Sequence, residues 1–450
     1  MRRGSGLTGM SGHNAERLVV FTRYPKPGTT KTRLIPALGP AGAAGLQRRM
    51  TAQTLATARR FAQGRPIEIE VRFDGNLDAV REWLGPPYSC CPQGPGDLGG
   101  CMWRSFEEAF GCGVDRAVLI GSDCPAITAD HLRRAFAALR HHDLVLGPSY
   151  DGGYYLIGAA GRAPEVFSGI AWGTGEVLAR TLAAAESAAL SVSMLDELHD
   201  VDRPEDLPAT GLAEGLLEPS GAAPSISVVI PVLNEGEGVR ETLASARRGR
   251  NVEIIVVDGG SRDATVALAR EAGSCVVAGP ACRAVQMNLG AIAAGGEALL
   301  FLHGDTQLPE GFDDHVRRTL ADPGVALGAF ELGIEGQGRG LRFTERRVNR
   351  RSRRKGLPYG DQGLFMRADT FRKAGGFPEI AIMEDYALVK ALGREGNVRI
   401  MSRAVRTSGR RWRRYGVVGT AVRNLLVVAG YRLGVSPGRL ARFYRGTGRD

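Results

Sequence analysis

The sequence is poor in cysteine and has no pattern that would use it. Its seven cysteines include no C-x-x-C pair, which excludes the usual zinc spacings and a secreted disulfide framework. No run of eighteen apolar residues occurs, so we expect no transmembrane helix. The first twenty residues lack the apolar core and cleavage site of a secretory signal. These absences predict a cytoplasmic, reduced protein and leave peripheral contact with the inner membrane face open.

Low complexity and disorder are also excluded as overall descriptions. Of the 450 residues, 43% are hydrophobic and 24% are charged, which are ordinary values for a globular protein. Glycine is frequent, with 62 residues, but glycine and 23 prolines together stay below the low-complexity range. The length exceeds that of one hydrophobic core, so we expect two or three domains.

Positive charge is concentrated in the second half. Residues 1–222 contain 22 Lys and Arg against 25 Asp and Glu, whereas residues 223–450 contain 36 against 23. This asymmetry indicates a phosphate-bearing substrate, a nucleic acid or an anionic membrane surface as a partner. Two runs, 339–355 and 403–414, hold nine and six cations. Aromatic residues do not alternate with these cations as on a base-stacking surface, so we expect no nucleic-acid partner.

The two halves share an order of parts. Apolar runs rich in branched residues open both halves, as buried parallel strands do. Alternating strands and helices imply βαβ units, so we predict an α/β fold of two tandem Rossmann-related domains, each a mostly parallel sheet flanked by helices. The predicted strands are 18–21, 67–73, 117–120, 226–230, 252–257 and 299–302, and the helices that follow the first strand of each half are 41–63 and 237–248.

A segment of linker composition separates the halves, since Pro, Gly, Ala and Ser dominate residues 208–225. We therefore divide the chain as follows: a flexible N-terminus at 1–16, a first domain at 17–210, a linker at 211–224 and a second domain at 225–450.

Ligands of such sheets bind beyond the carboxyl ends of the strands, so the residues that follow each strand are candidate site residues. In the second half, Asp258 ends a strand and can accept hydrogen bonds from a base or ribose, while Gly259 allows close backbone approach. Asp305 follows another strand and is a natural ligand for Mg²⁺ or Mn²⁺ bridging two phosphates.

An acidic pair, Glu384 and Asp385, opens a later apolar segment. The positive end of a helix there would stabilise ionised carboxylates. This is the arrangement of a general base that deprotonates an acceptor hydroxyl. A simple N-terminal charge preference explains one acid but explains the pair less well.

The motifs PVLNE, VVDGGSRD, FLHGDT, GDQGLFMR, GGFPEIAIMEDY and SGRRW, in this order, resemble those of family 2 glycosyltransferases with the GT-A fold. More narrowly, ACRAVQMNLGA, LHGDT and PYGDQGLFMR resemble the group named for arsenosugar biosynthesis. The resemblance covers about residues 225–445. It implies a nucleotide-diphosphate sugar donor, a divalent metal (Mg²⁺ or Mn²⁺) at Asp305, Asp385 as the base, and inversion. The donor-binding residues that it implies are Pro231, Asn234, Glu235, Asp258, Gly259, Arg283, Gln286, Asn288, Arg411 and Trp412.

Two departures from the family pattern stand out. His303 replaces the first carboxylate of the D-x-D motif, and Ser408 replaces the glutamine of the Q-x-x-R-W box. Imidazole fits Mn²⁺ better than Mg²⁺, but a hydrogen-bonded loop histidine is the favoured interpretation of His303.

In the first half, a basic loop follows the first strand. Lys26, Gly28, Lys31 and Arg33 suit a diphosphate or triphosphate, although the Walker spacing is absent. Asp123, after a buried strand, is a metal candidate. Asp200 and Asp202 would point the same way on an extended strand, as metal ligands do.

The first half also carries a resemblance. KPGTTKTRL, QGPGDLGG, GSDCP, SYDGGYYLIG and DVDRPEDL resemble, over about residues 17–207, the GT-A-like family that bears the same arsenosugar label and is related to nucleotidyltransferases. Sugar transfer, nucleotidyl transfer and non-catalytic support all remain open for this half.

The leading hypothesis is a bifunctional enzyme whose second domain transfers a sugar from a nucleotide-sugar donor to a small-molecule or lipid acceptor. In the alternative within enzymes, the first domain makes an activated sugar or phospho-acid. A basic binding module is the non-enzyme alternative. Residues 416–434 are amphipathic and could lie on a membrane, but Arg423 and Asn424 interrupt them, which favours a packed C-terminal helix. Oligomeric state is not indicated.

Overall fold

The computed structural model forms two compact units. The residues that it describes are 15–85, 88–209, 212 and 225–445. The predicted N-terminus and linker therefore lie almost entirely outside the described residues. The first unit comprises 15–23, 58–75 and 88–201, and the second comprises 24–57, 76–85, 202–209, 212 and 225–445.

The first unit is built on a seven-stranded sheet. Its strands are β1 (Glu16–Arg23), β2 (Ile67–Asp74), β3 (Ser89–Pro92), β4 (Arg116–Gly121), β5 (Leu144–Pro148), β6 (Tyr154–Ala159) and β7 (Val192–Met194). The order across the sheet is β3-β2-β1-β4-β6-β5-β7. Only β6 runs antiparallel to its neighbours, β4 and β5.

The second unit contains an eight-stranded sheet. Its strands are β8 (Ile226–Val232), β9 (Val252–Asp258), β10 (Cys275–Ala278), β11 (Ala298–Phe301), β12 (Thr306–Gln307), β13 (Val325–Ile334), β14 (Leu364–Arg367) and β15 (Asn397–Thr407). The order is β10-β9-β8-β11-β14-β13-β15-β12. Apart from the short β12, this repeats the order of the first sheet, and β14 is antiparallel to β11 and β13 just as β6 is to its neighbours.

Fifteen α-helices accompany the two sheets in the part of the chain that the structure describes. Helix α1 is kinked at Gly39, which has a φ of 68° and directly precedes Pro40. None of the described helices is long and apolar enough to cross a membrane. The helices are α1 (Ile35–Ala62), α2 (Leu77–Leu84), α3 (Leu98–Gly111), α4 (Ala129–Ala138), α5 (Val177–Ser187), α6 (Val239–Ala246), α7 (Thr265–Glu271), α8 (Arg283–Ala293), α9 (Phe312–Leu320), α10 (Arg339–Lys355), α11 (Ala368–Lys373), α12 (Glu384–Glu395), α13 (Arg410–Tyr415), α14 (Val417–Arg432) and α15 (Pro437–Arg445).

The central strands of each sheet are buried because both of their faces are covered. In β8, every residue is buried, and Val228 and Ile230 are fully so. They pack in one core with Val256 and Leu300 from the neighbouring strands. Continuous runs of branched apolar residues are what a doubly covered parallel strand requires.

The predicted α/β architecture of two tandem GT-A-like domains is confirmed, and each predicted strand coincides with an observed one to within a few residues. The predicted helix 41–63 matches the part of α1 that follows the kink at Gly39, whereas the turn before the kink, from Ile35, was not predicted. Proline and glycine near its start hid that first turn from sequence reasoning, since both residues usually mark helix ends.

Candidate functional site

Two loops of the second unit are hydrogen-bonded to one another at the carboxyl ends of β8 and β9. Asn234 has a left-handed φ of 54°, and its Oδ1 accepts a hydrogen bond from the backbone N–H of Arg262 at 2.9 Å. In return, Ser261 Oγ accepts one from the Asn234 N–H, also at 2.9 Å. Asn234 therefore holds the two loops together.

Asp258 organises the turn that follows β9. Its buried carboxylate accepts hydrogen bonds from the N–H groups of Gly260 and Ser261 at 2.9 and 3.0 Å. Gly259 is closely packed, because a Cβ there would lie 3.2 Å from the Gln286 side-chain nitrogen. Gln286 donates from Nε2 to the carbonyls of Val232 and Val257 at 2.9 and 2.7 Å, which ties the ends of both strands to α8.

Three charged side chains meet beyond β11. Arg410 donates to Asp305 Oδ2 at 3.3 Å and forms a second ion pair with Glu235. Burial raises the pKa of Glu235, the Arg410 hydrogen bond opposes this, and the nearby Asp305 carboxylate raises it further. One guanidinium therefore lies between two carboxylates that would otherwise repel each other.

These two carboxylates fit a divalent metal. Carboxylate oxygens are the ligands that Mg²⁺ and Mn²⁺ prefer, and the guanidinium of Arg410 is a cation already held at that place. The structure thus adds Glu235 to the predicted metal position at Asp305. A cluster of three or more His, Cys, Asp or Glu side chains suited to a metal does not occur within the described ranges, so donor phosphates and water would have to complete the coordination.

The predicted acidic pair begins α12. Asp385 accepts hydrogen bonds at 2.7 Å from the N–H of Gly360 to Oδ2 and from the N–H of Tyr386 to Oδ1. These two bonds fix the orientation of its carboxylate. Glu384 is buried, with Arg283 Nη1 at 3.9 Å from its Oε1.

A cavity of about 380 Å³ brings the predicted residues together. Its volume lies in the range of small-molecule sites. Six residues predicted from the sequence line it: Pro231, Glu235, Arg283, Gln286, Glu384 and Asp385. Sequence reasoning missed another part of the lining, which consists of aromatic and aliphatic residues: Tyr359, Ile382, Tyr386, Val427, Val428 and Tyr444. The apolar spacing of residues 416–434 was the one signal for some of these residues.

The other donor-binding predictions whose side chains are described do not line the cavity: Asn234, Asp258, Gly259, Asn288 and Trp412. Asn288 is bound to the backbone of Phe377, with which it exchanges two hydrogen bonds of 2.9 Å, and it does not line the cavity. Ser408, at the position of the missing glutamine, donates its N–H to the Asp305 carbonyl at 3.0 Å. Trp412 is half-buried on α13. The side chain of Arg411 lies outside the described residues.

In the first unit, the predicted metal residue Asp123 lies close to Asp200. Val201 donates its N–H to the Asp123 carbonyl at 2.9 Å. The carboxylates of Asp123 and Asp200 both raise the pKa of Cys124. The pKa of Cys124 is raised to about 12, mainly by burial, so this cysteine is a neutral thiol at physiological pH. On the neighbouring loop, the exposed ring of Tyr150 stacks on His199 with centroids 3.7 Å apart.

The basic loop after β1 belongs to the second unit, and its cations have an acidic partner there. Lys31 Nζ lies 2.7 Å from Asp202 Oδ1, and Arg33 Nη1 lies 3.3 Å from Oδ2. Gly28 has a left-handed φ of 85°, and the Lys26 N–H donates to Thr30 Oγ1 at 3.1 Å. The expected extended strand through Asp200 and Asp202 is wrong, because the chain is irregular before a 3₁₀ turn at Pro204–Ala209. The proline at 204 starts that turn.

Two family models match the chain. Residues 55–174 match an uncharacterized protein family conserved in bacteria, DUF2064, and residues 227–373 match glycosyl transferase family 2. The comparison with curated proteins gave no match.

Solved structures provide further relatives. A "putative nucleotide-diphospho-sugar transferase" from Desulfovibrio desulfuricans G20 is 35% identical, with 42% of this chain and 82% of that chain covered and a TM-score of 0.39. TarS 1–349 from S. aureus is 16% identical, with 45% and 64% covered and a TM-score of 0.34. The mannosyltransferase PcManGT from Pyrobaculum calidifontis, in complex with GDP-Man and Mn²⁺, is 20% identical, with 51% and 72% covered and a TM-score of 0.36.

The 35% identity over most of the Desulfovibrio chain shows the family, and the chain belongs to the nucleotide-diphospho-sugar transferases. Its second half carries a family 2 glycosyl transferase domain. The protein is therefore a nucleotide-sugar-dependent glycosyltransferase, and the prediction of an enzyme is confirmed over the non-enzyme alternative.

Proposed function

We propose that the cavity of the second unit transfers a sugar from a nucleotide-diphosphate donor to a hydroxyl acceptor, with inversion at the anomeric carbon. The observation that carries this proposal is the cavity itself. One cavity is lined both by the carboxylate pair of α12 and by residues at the carboxyl end of β8, among them Pro231 and Glu235, where nucleotides bind in sheets of this kind.

In this proposal, Asp385 is the general base. Its carboxylate is held by two backbone N–H groups and lines the cavity, so it needs no rearrangement to accept the acceptor proton. The acceptor oxygen then forms a bond to the anomeric carbon while the bond to the donor diphosphate breaks. A single displacement of this kind inverts the configuration.

Asp305 and Glu235 would hold the divalent metal, and Arg410 lies beside both. When bound, the metal would neutralise charge on the leaving diphosphate. Arg410 adds a fixed positive charge at the same place, and a guanidinium suits phosphate oxygens. The wall of Tyr359, Tyr386 and Tyr444 offers rings and hydroxyls to a small-molecule or lipid acceptor.

The narrower assignment to arsenosugar biosynthesis rests on the motifs ACRAVQMNLGA, LHGDT and PYGDQGLFMR. For the first unit, we propose nucleotidyl transfer to a sugar phosphate or phospho-acid as a second activity. The neighbouring Asp123 and Asp200 and the exposed Tyr150 ring favour a metal-bound nucleotide there.

The test uses the full chain with a panel of nucleotide sugars and Mn²⁺. Release of nucleoside diphosphate identifies the donor, and NMR of the product with a simple hydroxyl acceptor reports the anomeric configuration. We expect the configuration opposite to that of the donor. A retained configuration, or no turnover of any donor, would contradict the proposal. Pyrophosphate release from nucleoside triphosphates with a sugar phosphate tests the first unit separately.

A further inference from the structure

Helix α14 has an apolar face that nothing covers in the described chain. Val418, Val422, Leu425 and Leu426 are 76, 48, 61 and 51% exposed. Their spacing places them on one side of the helix, and Leu433, 84% exposed, continues the same side just past its end. We call these five residues the outer face of α14. An exposed apolar patch of this kind marks an interaction surface.

A row of arginines lies on α10. Arg339, Arg346, Arg350 and Arg354 recur at helical spacing on the exposed side of this helix, together with Phe343, which is 65% exposed. We call these five residues the arginine row. No ion pair within the described parts of the chain engages any of its four arginines, whereas Arg342 and Arg353 on the same helix are paired with Glu345 and Glu331.

The two helices are neighbours. A Cβ added at Gly340 of α10 would lie 3.4 Å from a methyl group of Val417 at the start of α14. The glycine thus lets the two helices approach closely where the arginine row and the outer face begin. The arginine row and the outer face therefore lie on neighbouring helices of the second unit.

We propose that the outer face of α14 and the arginine row of α10 form one docking surface for a bilayer that contains anionic lipids. A bilayer surface offers a partner for each part of this surface: its apolar boundary can bury the valines and leucines, and its phosphates can pair with the arginines. A second copy of the chain would bring like charges together. A nucleic acid would leave the leucines exposed to water.

This surface lies next to the candidate active site. The opposite side of α14 contributes Asn424, Val427 and Val428 to the cavity wall. Docking would thus hold the cavity about 10 Å, the diameter of one helix, from the bilayer. The inference does not depend on which sugar is transferred, and its test measures binding rather than turnover.

The experiment is flotation of the full chain with vesicles of phosphatidylcholine alone, or of phosphatidylcholine and phosphatidylglycerol in equal parts. One variant replaces the apolar side chains: Val422→Gln, Leu425→Gln and Leu426→Gln. A second removes charge: Arg346→Gln, Arg350→Gln and Arg354→Gln. The matched control removes the same charge from exposed arginines on other helices: Arg270→Gln, Arg318→Gln and Arg394→Gln. Because all nine side chains are exposed, we expect melting temperatures close to that of the native chain.

We expect the native chain to float with the phosphatidylglycerol vesicles, less so at high salt. Each patch variant should lose roughly tenfold in partitioning, while the control stays within about twofold. Failure of the native chain to bind would overturn the inference. Full binding by the apolar variant would also overturn it, because the chain would then adsorb by charge alone. An equal loss of binding in the control variant would overturn it as well. If the native chain does not bind vesicles but is a dimer in light scattering, and the apolar variant is a monomer, the outer face binds a second copy of the chain instead.

Discussion

Arg410 carries a positive charge where the family motif places a metal. It contacts both Asp305 and Glu235, and neither pairing was evident from the sequence. Glu235 and Arg410 are 175 positions apart, and the motif resemblance pointed to the next residue, Arg411, as the diphosphate ligand. Only the fold of β15 and α13 brings Arg410 back to the end of β11.

Removing this guanidinium should free the two carboxylates for a metal. We expect Arg410→Ala to tighten Mn²⁺ binding in the absence of nucleotide by about fivefold, since roughly 1 kcal/mol of partly screened charge interaction is lost. Titration of free Mn²⁺ by its electron paramagnetic resonance signal measures this without turnover. Asp305→Ala should abolish the binding.

The matched control is Arg413→Ala, an exposed arginine on the same helix α13, which should leave Mn²⁺ affinity unchanged. Mn²⁺ affinity that falls in Arg410→Ala would show that the guanidinium supports the metal site instead of competing for it.

At the scale of elements, the 3₁₀ turn Gly360–Gln362 and the start of α12 form one unit that positions the acidic pair. The Gly360 N–H binds Asp385, and a Cβ at Gly360 would lie 3.1 Å from His303 Nε2 and 3.2 Å from Asp385 Oδ2. His303 is thus packed beside the proposed base. The glycine keeps both side chains within reach of the cavity.

Gly360→Ala should therefore impair transfer more than stability. A methyl group there pushes His303 or Asp385 by a few tenths of an ångström, and we expect kcat to fall by roughly 10- to 100-fold. The free energy of unfolding should change by less than about 1 kcal/mol. Steady-state kinetics and chemical denaturation measure the two effects.

Gly393→Ala on the same helix α12 is the control, since its Cβ would meet only Val398 at an ordinary 3.6 Å. Alanine favours a helix interior over glycine, so this change should leave kcat unaltered and stability equal or higher. Equal kinetics for both alanine variants would contradict the positioning role of Gly360.

Strands were predictable because their signal is local. The branched runs at the cores of β1, β4, β8 and β11 permit little else than a buried strand. The acidic pair of α12 was also visible in sequence, because helix N-termini favour carboxylates. The tyrosine wall of the cavity was not, since Tyr359, Tyr386 and Tyr444 come from three elements and acquire a common role only through packing.

At the scale of the whole molecule, the two sheets repeat one strand order, although the sequence halves share an order of parts rather than residues. Within the second unit, a buried ion pair joins the long helix α1 to β9. Arg49 Nη2 lies 2.8 Å from Glu253 Oε2, and Glu253 also accepts from Gly295 N–H at 2.7 Å. Burial raises the pKa of Glu253, but Arg49 and the hydrogen bonds outweigh it, so the pKa is lowered overall.

Breaking this pair should destabilise the chain in a pH-dependent way. Glu253→Gln leaves Arg49 buried without a counter-charge, and we expect a loss of about 3 kcal/mol at neutral pH. A lowered pKa means that the stabilisation is present above the normal glutamate value of about 4.3 and is lost as pH falls through the lowered one. Urea denaturation of the full chain at several pH values should show the gap between variant and native chain narrowing in acid.

The exposed pair of Arg180 and Glu176 provides the comparison. Glu176→Gln should cost less than about 1 kcal/mol at any pH, as surface pairs do. A Glu253→Gln cost equal to that of Glu176→Gln would show that the buried pair contributes nothing beyond a surface pair.

The central claim is that Asp385 removes the acceptor proton in the cavity of the second unit, and Asp385→Asn tests it most directly. The asparagine keeps the shape and the Gly360 hydrogen bond but cannot accept a proton. The measurement pairs the rate of sugar transfer with the dissociation constant of the nucleoside diphosphate, with the exposed Asp314→Asn as control. We predict a loss of at least roughly 100-fold in rate, with diphosphate affinity within a few-fold of the native chain. Transfer at the native rate in Asp385→Asn would contradict the account.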